Sequence, residues 1–231
     1  MRRRRSGERQ VQTAIPYEEP VILWRDSYAL AADKPAGLLV HADGSGTVTL
    51  TDIVRNHLGE GARPQALNRL DVPTSGIVLF SLDKATQPAF DAIVAGHAMS
   101  KRYWAVVDGR LPKPGPDGWV LIDASIARDR HNARRMRVGR TGKQACTRIR
   151  PLARRGRRTL VEAELITGRK HQIRVHLAHV GCPIVGDELY GGTCDGGGLM
   201  LHAHELAFDH PITGECIVVR SEMPTRFNWP N

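Results

Sequence analysis

The segment Arg69-Leu70-Asp71-Val72-Pro73-Thr74-Ser75-Gly76 sets one carboxylate between an arginine and a Pro/Thr/Ser/Gly turn. The apolar run Ile77-Val78-Leu79-Phe80 follows at once and reads as a buried strand. A lone carboxylate on a turn braced by a sheet can act as nucleophile or general base. The same residues also make an ordinary Asx or ST turn, and the segment alone does not choose between the two.

A second segment, Thr167 to His179, is the densest in reactive side chains. Placed on a helix, Ile173, Leu177 and Val180 form an apolar stripe, with Gln172, His176 and His179 along one flank. Arg174 falls on the other flank, at the border between core and solvent. There an arginine can pack its stem on apolar atoms and reach a buried carboxylate. Gly168-Arg169-Lys170 at the helix start offers backbone N–H groups and cations to a phosphate. The histidines are expected in the core or facing a ligand, with metal ligation by His176, His179, His202 or His204 the less favoured alternative: H-E-x-x-H is absent and no acid lies at helical spacing from His176 and His179. The rings of His202-Ala203-His204 are expected to point apart. No P-loop, dinucleotide fingerprint or G-x-S-x-G is present.

The elements that must hold these groups follow from periodicity. Strands are expected at Val21–Trp24, Tyr28–Ala32 and 77–82, then at Lys101–Val107, with Tyr103, Ala105 and Val107 on one face. Further strands are expected at Val120–Ala127, Ala145–Leu152, Thr159–Ile166, Leu199–Phe208 and Cys216–Arg220. Helical spacing covers Thr51–Leu58, Lys84–Ala95 and the Arg174 segment. Many strands and few helices predict an α+β fold on a mixed, mainly antiparallel sheet with flanking helices and a central cleft. Residues 1–19 are read as a flexible basic arm and 20–231 as a single catalytic domain.

The chain has 231 residues, 41% hydrophobic and 25% charged, with a net charge of +9. That balance favours a polyanion, and nucleic acid is the first candidate. The arginines cluster at Arg2–Arg5, again from Arg128 to Arg140, and again from Arg148 to Arg158. Cys146, Cys182, Cys194 and Cys216 form no C-x-x-C pair and are expected as reduced thiols. No apolar run approaches the roughly 20 residues of a membrane span. A cytoplasmic monomer is expected.

The two segments together resemble the RluA-type pseudouridine synthases. Lys34-Pro35-Ala36-Gly37-Leu38-Leu39-Val40-His41 is similar to that family's K-P-x-G-x-x-V-H element, and Arg69 to Gly76 to its R-L-D-x-x-T-S-G motif. Lys101 to Val107 resembles its K-x-Y-x-A-x-V strand, and Gly142 to Thr147 its G-K-x-A-x-T element. Gly168 to His176, followed by Gly181 to Asp187, resembles its G-R-x-H-Q-I-R-x-H…G-x-P-I-x-G-D motif. Leu201-His202-Ala203 and His210 to Glu215 resemble its closing elements. Six matches in order span residues 20 to 225. Asn68 stands where the family usually has histidine, and no S4-like RNA-binding domain is expected.

The resemblance implies isomerisation of uridine to pseudouridine in tRNA or rRNA, with no cofactor and no metal. Asp71 would be the catalytic carboxylate, Tyr103 the tyrosine that stacks on the base and shares in proton transfer, and Arg174 the partner of Asp71. Arg69 would fill the space a flipped base leaves, and Thr74 would contact substrate. Arg169, Lys170, His171 and Gln172 would grip phosphates. Leu201, with Met200 as the alternative, would lie under the base. The alternative function is a catalytically silent RNA-binding protein on the same scaffold. The expected lack of an S4 domain and the compact size lean toward tRNA or a short stem-loop target, with the Arg-rich 128–158 segment as discriminator.

Overall fold

The computed structural model describes residues 19–227. The expected N-terminal arm, apart from Glu19, lies outside the described residues, as do residues 228–231. The strands are β1 Val21–Arg25, β2 Ala29–Lys34, β3 Gln65–Ala66, β4 Ser75–Ser81, β5 Ser100–Asp108 and β6 Val120–Asp123. They continue with β7 Ile126–Arg128, β8 Met136–Val138, β9 Cys146–Arg155, β10 Arg158–Leu165, β11 Leu201–Asp209 and β12 Cys216–Arg220. The helices are α1 Leu50–Leu58, α2 Gln87–Ala95 and α3 Gln172–His179. Ten strands form one sheet in the order β1-β2-β4-β11-β5-β10-β9-β6, with β12 on β11 and β3 on β4. Only β4 and β11 pair in parallel; the α+β class and the mainly antiparallel sheet are as expected.

Strand β4 is buried along its whole length, which explains its unbroken apolar run. Val78 and Phe80 face a core shared with α1 and α3, while Ile77 and Leu79 face a second core with Phe90 of α2. Tyr103 belongs to the first core, so β5 presents it on the side of α3. Over β5, β9 and β10 the other face carries paired charges, Arg148 with Glu164 and Arg150 with Glu162. No helix among the described residues is long and apolar enough to cross a membrane.

Boundaries moved where a single residue overrides periodicity. Helix α1 starts at Leu50 because Thr49 and Asp52 form a reciprocal capping box. Helix α2 starts at Gln87, three residues later than its spacing suggests. Pro88 is tolerated only in a helix's first turn. The span Val120–Ala127 divides between β6 and the β7–β8 hairpin. Pro151 sits in β9 beyond the last β6 partner, Ile149, and opposite the β10 irregularity at Leu160/Val161, the edge-and-bulge setting in which a strand tolerates proline. The expected divergence of His202 and His204 fails. Residues two apart on a strand share a face, and both rings lie along Trp104, with centroids at 6.1 and 4.0 Å.

Gly76 makes the site's backbone possible. Its φ is +114°, and an added Cβ would collide with the Ala203 backbone at the β4–β11 pairing. Gly76→Ala therefore combines left-handed strain with overpacking against atoms that cannot withdraw. It is expected to lower the free energy of unfolding by about 3–5 kcal/mol, read from urea unfolding. A loss below about 1 kcal/mol would contradict this close approach.

Candidate active site

The loop between β3 and β4 carries Asp71 and is anchored on both sides. Upstream, the Asn68 amide donates to the Ile77 carbonyl at 3.1 Å and accepts the Leu79 N–H at 2.8 Å, imitating a strand partner of β4. The asparagine at this position is thus a backbone clamp. Downstream, the Thr74 N–H donates to the Asp71 carbonyl at 3.0 Å, closing the turn. The Val72 carbonyl accepts from the Gly37 N–H at 2.8 Å and from Lys34 Nζ at 3.1 Å. Lys34 is fully buried and also donates to the carbonyls of Pro35 and Leu38. The K-P-x-G element is therefore the mount of the reactive turn.

Burial pushes the Lys34 ammonium down to about 8, with Asp71 opposing the shift. An unfolded chain holds that proton up to its ordinary pKa of 10.5. Between these values the unfolded state binds more protons, so stability rises with pH, and the full cost is present below the lower one. The wild type is expected to gain up to about 3 kcal/mol over Lys34→Met across that window in urea unfolding. Parallel pH profiles for the two proteins would contradict it.

Arg174 closes the site from α3. It is buried deeper than the border position its helical spacing suggests, with 6% exposure. Its Nε and Nη2 donate to the two oxygens of Asp187, each at 2.8 Å, and Nη1 donates to Asp71 Oδ2 at 3.1 Å. Burial opposes the guanidinium charge, but Asp187 and then Asp71 outweigh it and raise its pKa. Tyr103 lies in register with Ala163 of β10 and Ala203 of β11, so small neighbours leave space over its ring. Burial, and then the Asp71 charge, hold its phenol well above the ordinary value, so it stays protonated.

Asp71, Tyr103 and Arg174 line one cavity of about 380 Å³, together with Arg69, Thr74, Arg169, Lys170, His171, Gln172 and Leu201. All ten side chains singled out from sequence meet there. Leu201 lines it and Met200 does not. The Thr74 hydroxyl is buried with no hydrogen-bond partner among the described residues. A larger groove of about 610 Å³ lies near Pro112 and Pro151, but its described lining holds no carboxylate.

Two expected phosphate contacts are corrected. Gln172 is buried and fully engaged: its amide donates to the Cys146 carbonyl and Thr147 Oγ1, and its oxygen accepts from Arg169 N–H and Thr167 Oγ1. It latches α3 to β9. The Arg169 N–H is thereby used too, while the Arg169 side chain donates to the Gln144 carbonyl. His171, at φ +57°, turns inward, with Nε2 3.7 Å from Asp71 Oδ1 and Nδ1 2.8 Å from the Tyr190 hydroxyl. Burial lowers its pKa, opposed by Asp71 and aided by Arg174 and Lys170. The neutral ring accepts the Tyr190 proton at Nδ1 and turns Nε2–H toward the carboxylate.

Three neighbours escaped the sequence reading. Asp187 takes two of the Arg174 bonds, and its signal was the acid ending the Gly186-Asp187 pair. Tyr190 lies three residues beyond the end of the nearest expected motif and had no signal. Lys101 lines the cavity two residues before Tyr103 on the same strand face. It makes no ion pair among the described residues, and burial lowers its pKa. His176 is buried and bonds Thr147 Oγ1 and the Ala124 carbonyl, each at 2.9 Å. Among the described residues, no group of three or more His, Cys, Asp or Glu side chains could hold a metal ion.

A family model described as RNA pseudouridylate synthase matches residues 28–179. The chain is 33% identical over 241 residues to tRNA pseudouridine synthase C of Vibrio vulnificus (strain CMCP6), covering 91% of this chain and 96% of that one. It is 34% identical over 231 residues to ribosomal large subunit pseudouridine synthase D of Zymomonas mobilis subsp. mobilis, covering 91% and 70%. Among solved structures, human RNA pseudouridylate synthase domain containing 1 superposes with a TM-score of 0.75 at 26% identity, covering 91% and 86%.

Proposed function

This chain belongs to the RNA pseudouridylate synthase family, an RNA-acting isomerase of uridine, and from that premise we propose that Asp71 carries the reaction on a uridine flipped out of structured RNA. Residues 20–231 act on this reading as one catalytic domain. The observation that carries the proposal is the convergence of Asp71, Arg174 and Tyr103 on one cavity from three elements distant in sequence.

The overall change breaks the C1′–N1 bond and forms a C1′–C5 bond. N1 gains a proton, and the hydrogen on C5 leaves to water. No electron is gained or lost, so the isomerisation needs no oxidant or reductant. Asp71 supplies the carboxylate, as nucleophile toward C1′ or the base, or as base at C2′. Arg174 orients it and is itself fixed by Asp187. The protonated Tyr103 stacks on the base and offers a hydrogen-bond donor. The free Thr74 hydroxyl and Leu201 complete the base pocket. A stacked uridine cannot enter this cavity, so it must be extruded, and exposed Arg69 at the rim fills the gap it leaves. Lys170 and Lys101 are the cations placed to meet flanking phosphates. Both tRNA and large-subunit rRNA appear among the relatives' names, so either can be the substrate.

The test incubates the protein with tRNA and rRNA carrying tritium at uridine C5. Release of tritium to water, with pseudouridine found at a defined site, is expected. No release from any stable RNA would sink the proposal.

A further inference from the structure

The β7–β8 hairpin is strongly cationic. Residues 126–143 hold Arg128, Arg130, Arg134, Arg135, Arg137, Arg140 and Lys143 against the single carboxylate of Asp129. Of the arginines on the neighbouring β9 and β10 strands and their turn, Arg148 pairs with Asp117 and Glu164, Arg150 with Glu162, and Arg158 with Asp195, while Arg154, Arg155 and Arg157 stay exposed and unpaired among the described residues. Among the described residues none of the six hairpin arginines makes such a pair, and five of them are exposed. So many like charges on one short element repel each other unless a polyanion meets them.

The hairpin is also built and seated. Its tip is closed by Asx turns, with Asp129 accepting the His131 N–H at 2.9 Å and Asn132 the Arg134 N–H at 3.0 Å. Its root is tied by two bonds between Ile126 and Lys143. Buried Ile126, with Met136 and Val138, packs on Val175 and Tyr190. The Met136 N–H donates to the Tyr190 hydroxyl at 2.9 Å, and the Arg135 guanidinium lies 5.4 Å from the Tyr190 ring centre. That hydroxyl also bonds His171, which lines the Asp71 cavity. One tyrosine therefore separates the cationic hairpin from the reactive pocket.

We propose that the β7–β8 hairpin is a clamp for the RNA phosphate backbone, seated beside the Asp71 pocket by Tyr190. This rests on the RNA-isomerase reading above and names the surface that holds the nucleic acid next to the flipped nucleotide. Its contacts are phosphate contacts, which position the RNA without reading its sequence. The hairpin also carries the seat of specificity in geometric terms, since it accepts only an RNA whose backbone passes both the clamp and the cavity mouth.

The test measures RNA binding by the whole protein over a series of salt concentrations. Each neutralised phosphate contributes about 0.7–0.9 to the slope of log K against log salt. Arg130→Gln/Arg134→Gln/Arg137→Gln is expected to flatten the slope by about 2–3 and weaken binding tenfold or more at physiological salt. The control Arg25→Gln/Arg63→Gln/Lys84→Gln removes the same charge near the end of β4 opposite Ser75, and is expected to change the slope by less than about 1. Tyr190→Phe keeps the ring and every charge but removes the hydroxyl that holds Met136, and is expected to weaken binding about three- to tenfold. Equal slopes for the two triple variants would overturn the clamp, and wild-type binding by Tyr190→Phe would overturn its seating. Tritium release by the wild type, read in parallel, reports on the isomerase separately: a wild type that releases none while the hairpin variant still loses salt-sensitive affinity leaves the clamp standing and the chemistry refuted.

Discussion

Arg174→Met is expected to lower the free energy of unfolding by about 3–5 kcal/mol and to cut turnover at least about a hundredfold. The stability loss comes mainly from Asp187, whose side chain is fully buried and which loses both of its 2.8 Å guanidinium bonds. What remains to it is the Tyr190 N–H at 3.3 Å, too little to satisfy a buried carboxylate. The turnover loss comes from Asp71, which loses the 3.1 Å bond that orients it. The two effects separate in Arg174→Lys. A lysine restores one charge but not the planar fork, so it cannot serve both carboxylates with the same geometry. It is expected to recover part of the stability and little of the rate. Urea unfolding and single-turnover tritium release, measured where each variant gives a native circular dichroism spectrum, distinguish them. Arg174→Met with wild-type stability and rate would remove Arg174 from the site.

Much of this site was legible because its residues are local signals. Alternation gave β5 and thereby the face of Tyr103, and the periodic stripe of Ile173 and Leu177 placed Arg174 at the border of the core on α3, where the structure buries it more deeply. The turn chemistry of Val72 to Gly76 marked the loop that presents Asp71. What escaped were facts carried by long-range pairing or by one backbone angle. The Asp71–Arg174 bond joins residues 103 apart, and the Gly186-Asp187 pair marks an acid without showing that Arg174 is its partner. His171 turns inward because it adopts φ +57°, uncommon outside glycine, and no pattern of side chains encodes that angle. Gln172 looked like a phosphate ligand from its motif, yet two of its hydrogen bonds tie α3 to β9 and two hold the segment that leads into α3. Lys34 is missed for a different reason: lysine is almost never fully buried, so burial is not the expectation its type suggests.

Asp71→Asn is the largest effect expected of any single substitution. Asparagine keeps the size of the side chain and an oxygen that can accept the Arg174 Nη1–H. It removes the negative charge and with it both nucleophile and base. The RNA contacts proposed for Arg69, Lys101, Lys170 and the β7–β8 hairpin are untouched, so binding should survive. Turnover should fall by about 10³-fold or more, the scale seen when a group that attacks or deprotonates the substrate is removed. The decisive measurement is therefore single-turnover tritium release from C5-labelled RNA by wild type and Asp71→Asn, with the affinity of each for the same RNA determined alongside. The account predicts release by the wild type alone, with affinities within about threefold of each other. Release by Asp71→Asn within tenfold of wild type, at the same uridine, would contradict it.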